Sequence, residues 1–243
     1  MTISVATLIY MVQLLLGEMP FLFSLPRRKH FIPRFIIAVS SCILLALFFP
    51  KSPKNISAFL VSLMNFSRYF GLLSITIVAF YFCFDSSIYA IITFAVAGYS
   101  IQHCSNRFTN LMTIIAPIFK GVQPHQLAVV LRAIVYSLPV ILILGVIFCV
   151  PIYRHRYFNT GDKRLNILAG IILLSGMGIT RVGDFLTDKN NDYVILESLY
   201  GMLMAIVSLI VMFTLFRSIE REKEAYLTRQ LLREQKEEYR ARK

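Results

Sequence analysis

The residues in this sequence that could do chemistry are ionisable side chains set inside long apolar runs. Tyr99, His103 and Arg107 recur every four residues, so an α-helix would place all three on one face, with Gln102 and Asn106 on the face beside it. Arg181, Asp184 and Asp188 hold a similar spacing in a later run. Glu197 stands about one turn inside the run after that, and Arg132 about one and a half turns inside an earlier one. Charged groups at the centre of a bilayer cost ~2.5–3.5 kcal/mol each on insertion scales, so they pair with one another or line a polar cavity. If Tyr99, His103, Arg107, Arg132, Arg181, Asp184 and Glu197 converge at one end of a helix bundle, they form a pocket suited to sensing a signal molecule. Plainer readings stand beside this one. Arg107 and Arg132 can snorkel to headgroups. Arg181 and Asp184 can satisfy each other at i,i+3. The whole set can be a packing network of interhelical hydrogen bonds.

Catalysis is not what these residues spell. The four histidines (His30, His103, His125, His155) are dispersed, and no Ser/His/Asp order, HExxH or P-loop pattern occurs. The four cysteines (Cys42, Cys83, Cys104, Cys149) lie in or beside apolar runs without CxxC or Cys/His spacing, so no metal site is expected and buried thiols are the reading. Glu18 and Arg34 come close enough in sequence for a structural ion pair between a first and a second helix. Arg68 has no evident role.

The elements that must position these groups follow from composition. Of the 243 residues, 57% are hydrophobic and 16% charged, against ~45–50% and ~25% in ordinary soluble domains. The apolar residues come in runs of about 20, long enough to cross ~30 Å of hydrocarbon as helices. The expected fold is an all-α, polytopic transmembrane helical bundle. Seven spans can be marked, at about 3–24, 31–49, 58–82, 88–106, 127–152, 165–186 and 193–216; six remain if two runs merge or one lies at the interface. The segment Leu111 to Phe119 is too short to span and reads as an interfacial piece. The formal charge of +12 does not indicate nucleic acid, because the basic residues sit between apolar runs and in the tail, where they contact headgroups and set topology. Arg27, Arg28, Lys29 and Arg34, then Arg154, Arg156, Lys163 and Arg164, place the N-terminus outside and the C-terminus in the cytoplasm.

The chain divides at residue 216. Residues 1–216 read as a multi-span membrane domain. Residues 217–243 hold nine Lys/Arg and six Glu with no Gly or Pro, which predicts a charged cytoplasmic helix. Arg233 with Glu237 and Glu238 with Arg242 are spaced for i,i+4 ion pairs. Ile219, Tyr226, Leu227, Leu231, Leu232 and Tyr239 form a narrow seam. Within it Ala225, Leu232 and Tyr239 repeat at seven, an imperfect heptad and a weak dimer by itself. With no Gly or Pro stop before Lys243, the helix reads as continuing past that point.

Three patches carry a resemblance. Ala97-Gly98-Tyr99-Ser100-Ile101-Gln102-His103, Asp192-Tyr193-Val194-Ile195-Leu196-Glu197-Ser198-Leu199-Tyr200 and Leu231-Leu232-Arg233-Glu234-Gln235-Lys236-Glu237-Glu238-Tyr239 resemble, in order, segments of GHKL-class sensor histidine kinases related to peptide-pheromone receptors. The resemblance implies a homodimeric receptor in the cell membrane that senses an extracellular or membrane signal, such as a small peptide. Its last span would pass the signal to a cytoplasmic kinase acting on a response regulator. The departure is clear: no histidine follows His155, so the phosphoacceptor box and the ATP domain are missing from this chain, and ATP and Mg are expected only in such a kinase domain. No cofactor is expected in the chain itself. The alternatives are a small multi-span transporter or permease subunit, or a structural membrane protein.

Overall fold

The computed structural model describes residues 5–48, 58–115, 126–154, 167–168, 170–172, 175 and 191–241. Within them the fold is all-α. Six helices are described end to end: α1 (Val5–Leu22), α2 (Phe31–Phe48), α3 (Ala58–Cys83), α4 (Ile88–Ile115), α5 (Gln126–Arg154) and α6 (Asn191–Ala241). Helical residues at 167–168, 170–172 and 175 belong to a further stretch between α5 and α6. Among the described residues, three helices are long and apolar enough to cross a membrane, in Phe31–Phe48, Leu63–Cys83 and Ile195–Glu237. Shorter apolar stretches, Thr7–Leu22 and Ala133–Cys149, lie in α1 and α5.

Local chemistry sets the boundaries. Pro26 follows the end of α1, where Phe23 and Leu25 donate backbone hydrogen bonds to Met19 and Leu22. His30 adopts a left-handed backbone with φ of 57°, which reverses the chain just before α2. Pro33 is then tolerated because it falls in the first turn, where no intrahelical partner awaits its missing N–H. Ser87 caps α4: its Oγ and its carbonyl both accept from the Ala90 amide, at 3.3 and 3.1 Å.

The α1–α2 and α3–α4 turns are laced together at one end of the bundle. Arg28 donates its amide to the Cys83 carbonyl (3.2 Å), Asp85 donates to the Pro26 carbonyl (2.8 Å), and Arg28 Nε donates to the Phe84 carbonyl (2.9 Å). Arg27 stacks over Phe23 and Phe31, and Arg34 over Phe82, so the basic cluster read from the sequence is held on aromatic faces.

Helix α4 is the axis of the bundle and packs against α1, α3, α5 and α6. Most of its residues from Ala90 to Ser105 are buried. Being enclosed by protein, α4 can carry polar groups that a lipid-facing helix could not, and it is not among the three apolar crossers. Its hydroxyls bond within the helix: Thr93 to the Tyr89 carbonyl, Ser100 to Val96 and Thr109 to Ser105. Ser105 Oγ donates in addition to the Ser137 carbonyl of α5 at 3.0 Å. In contrast, α2 shows apolar side chains outward, among them Ile32, Ile36, Ile37, Leu44 and Phe48, all more than half exposed. So broad an apolar face suits lipid rather than water.

Several expectations are revised. The segment from Leu111 to Ile115 is not a separate interfacial piece; it continues α4, whose apolar and back-bonded side chains give no reason to stop at Asn106. The remainder of that segment, 116–119, lies outside the described residues, as does most of the span marked at 165–186. The change of composition at residue 216 falls inside one 51-residue helix, α6. Ile219 leaves the tail seam, because it is buried with Phe216 at the end of the bundle. Arg233 and Glu237 form no ion pair, both being exposed where such a pair contributes little. Arg242 is outside the described residues.

Candidate functional site

The site forms where α4 and α6 run antiparallel. Arg107 on α4 meets Glu197 on α6, Nη1 donating to Oε1 at 2.5 Å, with each side chain only 13% exposed. The two residues stand 90 positions apart, so the contact depends on the register of the two helices. Gly201, one turn beyond Glu197, makes room for it. A Cβ at Gly201 would lie 3.0–3.2 Å from Cγ, Cδ and Nε of Arg107, so the guanidinium stem lies flat across the glycine. Arg107 Nε is buried without a hydrogen-bond partner among the described residues.

Toward the interior, Tyr99 and His103 stack with ring centroids 5.8 Å apart and planes at 26°. They face Tyr200, Gly201, Met204, Ala205 and Ser208 across a small open notch, with Ser100 and Ser175 completing its polar lining. The cavity is about 20 Å³, room for roughly one water. The notch and the ion pair share Gly201, so they form one continuous polar strip along the α4–α6 seam.

Four of the seven predicted site residues are therefore brought together: Tyr99, His103, Arg107 and Glu197. Arg132 lies on α5, but its side chain is outside the described residues, and so are Arg181 and Asp184. Sequence reasoning missed Tyr200, Gly201 and Ser208. They share the helical face of Glu197 at intervals of three, four and eleven residues, and that spacing was the available signal.

A second polar group lies on the other side of α4. Glu18 is fully buried and does not pair with Arg34. Its Oε1 accepts from Thr76 Oγ1 of α3 at 2.8 Å, while Arg34 reaches the Phe82 carbonyl instead. Glu18 Oε2 has no hydrogen-bond partner among the described residues. Here α1 and α4 cross at Gly17 and Gly98. A Cβ on Gly17 would stand 2.6 Å from the Gly98 carbonyl oxygen, and one on Gly98 would stand 2.5–2.7 Å from Cγ, Cα and N of Glu18. Small residues at a membrane-type crossing allow this approach. One turn along α4, Gln102 Nε2 points to Gln13 Oε1 at 3.4 Å. Among the described residues no three His, Cys, Asp or Glu side chains gather where they could hold a metal ion.

Compared with known proteins, the chain matches no family model, no curated sequence and no solved structure. What is established is the class: an all-α chain with several apolar helices suited to a membrane.

Proposed function

We propose that the chain is the membrane-embedded sensor region of a two-component histidine kinase, with the Arg107–Glu197 strip as its sensing end and α6 as its output. One observation carries the reading. Helix α6 begins beside the site, carries a stretch long and apolar enough to cross a membrane, and continues into the charged tail without interruption. A shift or rotation at Glu197 therefore reaches Tyr239 through one rigid element, a repertoire that signalling proteins use. Tyr226, Leu227, Leu231, Leu232 and Tyr239 are more than half exposed in the single chain. That leaves the seam of Ala225, Leu232 and Tyr239 on an exposed helix, available to a second copy in a homodimer. In this reading the N-terminus is outside, the tail is cytoplasmic, and the signal arrives from outside or from the membrane.

Two experiments test it. Spin labels at Asp85 and Leu227, both exposed, report how α6 sits against the laced turns in bilayer nanodiscs. Breaking the site with Glu197→Gln should move or broaden that distance by about 1–2 Å. An unchanged distribution refutes α6 as the output. Sequencing the coding DNA past the Lys243 codon tests the kinase assignment. An open frame encoding a histidine box and an ATP-binding domain supports it, and a stop codon there reduces the assignment to a membrane protein of another class.

A further inference from the structure

We infer that the α4–α6 strip binds an amphiphilic anion, a carboxylate or phosphate on an apolar tail, which takes the place of Glu197 on Arg107; this rests on the sensor reading above.

The argument starts with Arg107. Its guanidinium has five N–H donors, and among the described residues one ion pair engages it, Nη1 to Glu197. Nε is buried and lacks a partner among the described residues. A buried donor left unmatched is a standing preference for an acceptor, and guanidinium favours planar, bidentate acceptors such as carboxylate and phosphate. Gly201 keeps that edge open, because any side chain there would press on Cγ and Nε of Arg107.

Chemistry around the notch narrows the ligand further. Tyr99, His103 and Tyr200 line it with Ser100 and Ser208, whose hydroxyls donate to the Val96 and Met204 carbonyls, and none of the five is a carboxylate. Among the described residues Glu197 is the acidic group beside Arg107, and it is the competitor an incoming anion meets there. Tyr200, 43% exposed, lines the notch with Ile172 and Met204 and gives an apolar tail a surface beside the site. The cavity is too small for more than a water. Binding therefore requires Glu197 to leave and the seam to open, which couples occupancy to the position of α6.

The test uses the full chain in phosphatidylcholine nanodiscs, with isotope-labelled decanoate as the probe and empty nanodiscs subtracted. Decanol and decyltrimethylammonium serve as neutral and cationic analogues with the same tail. Decanoate should bind saturably, and the two analogues should not displace it. Glu197→Gln removes the competitor and should tighten decanoate binding about tenfold, as expected when the competent state becomes dominant. Arg107→Gln with Glu197→Gln keeps the pair neutral, which protects folding, and should abolish saturable binding. Repeating the titration in discs containing phosphatidylglycerol separates the sources. Loss of decanoate binding there means a lipid headgroup occupies the site, and retained binding means a free amphiphile does. Displacement by decanol, unchanged affinity in Glu197→Gln, or saturable binding by the double variant would overturn the inference. A negative binding result with a normal response of the Asp85–Leu227 distance to Glu197→Gln would reject the anion alone and leave the sensor reading standing.

Discussion

Adding a single methyl group at Gly98 probes the α1–α4 crossing directly. In Gly98→Ala the new carbon would stand 2.5 Å from Cγ, 2.6 Å from Cα and 2.7 Å from N of Glu18. Two of those three atoms are backbone, so no side-chain rotation relieves the contact. Ordinary van der Waals separation begins near 3.4 Å, so α1 must retreat by almost an ångström. Overpacking of this kind costs ~1–3 kcal/mol. Against it, alanine gains ~0.8–1.0 kcal/mol of helix propensity over glycine. Retreat of α1 would in addition stretch the Thr76–Glu18 hydrogen bond, now 2.8 Å, whose loss in a buried site is worth ~1–3 kcal/mol. The clash and the bond together outweigh the propensity, so a net loss of about 1–5 kcal/mol is expected. Gly170→Ala is the matched control, because nothing lies within 4 Å of its added carbon. It should be neutral or slightly stabilising. Thermal unfolding followed by circular dichroism in nanodiscs compares the three proteins. A Gly98→Ala chain as stable as wild type or more so would refute the close crossing and the reasoning built on it.

Other outcomes are expected on the same grounds. Arg107→Gln or Glu197→Gln alone should cost about 3 kcal/mol by stranding a largely buried charge, while the double variant recovers part of the loss; strictly additive losses in a double-mutant cycle would show that the pair does not interact. Thr76→Val should destabilise by about 1 kcal/mol as Glu18 Oε1 loses its donor, whereas Glu18→Gln, which retains an acceptor there, should change stability by less than about 1 kcal/mol; the reverse order in unfolding midpoints would contradict the placement of Glu18. Ser105→Ala removes a hydrogen bond to the Ser137 carbonyl and should cost roughly 0.6 kcal/mol, the usual size between membrane helices. Leu232→Glu and Tyr239→Glu should leave the unfolding of the chain unchanged, because both side chains are exposed, yet alter the response of the full-length protein; an unaltered response would remove the seam from the signalling route.

What could be read from the sequence was set by local forces. Hydropathy runs marked α1, α2, α3 and α5 to within a few residues, since apolar length and proline placement act locally. The face shared by Tyr99, His103 and Arg107 followed from helical spacing, and Glu197 was among the residues expected to converge with it. The direct Arg107–Glu197 pairing was not legible, because it depends on an antiparallel register across 90 residues. Glu18 was assigned to Arg34 on proximity in sequence. It turned instead to Thr76 of α3, since Arg34 finds the Phe82 carbonyl and ring nearer at hand. The change in composition after residue 216 showed where charged side chains begin, and α6 runs through it because a helix backbone is indifferent to whether its side chains meet lipid or water.

The laced turns bear on how the chain threads the bilayer. Backbone amides of residues 28 and 85 are bonded to carbonyls of residues 83 and 26, and such bonds cannot be made across a membrane. Whatever the orientation of the chain, Lys29 and Asp85 must face the same compartment, so α2 and α3 together make an outward and a return passage. An impermeant reagent directed at an exposed residue in either turn would reach both or neither, and that parity constrains every count of the spans without appeal to hydropathy or to charge.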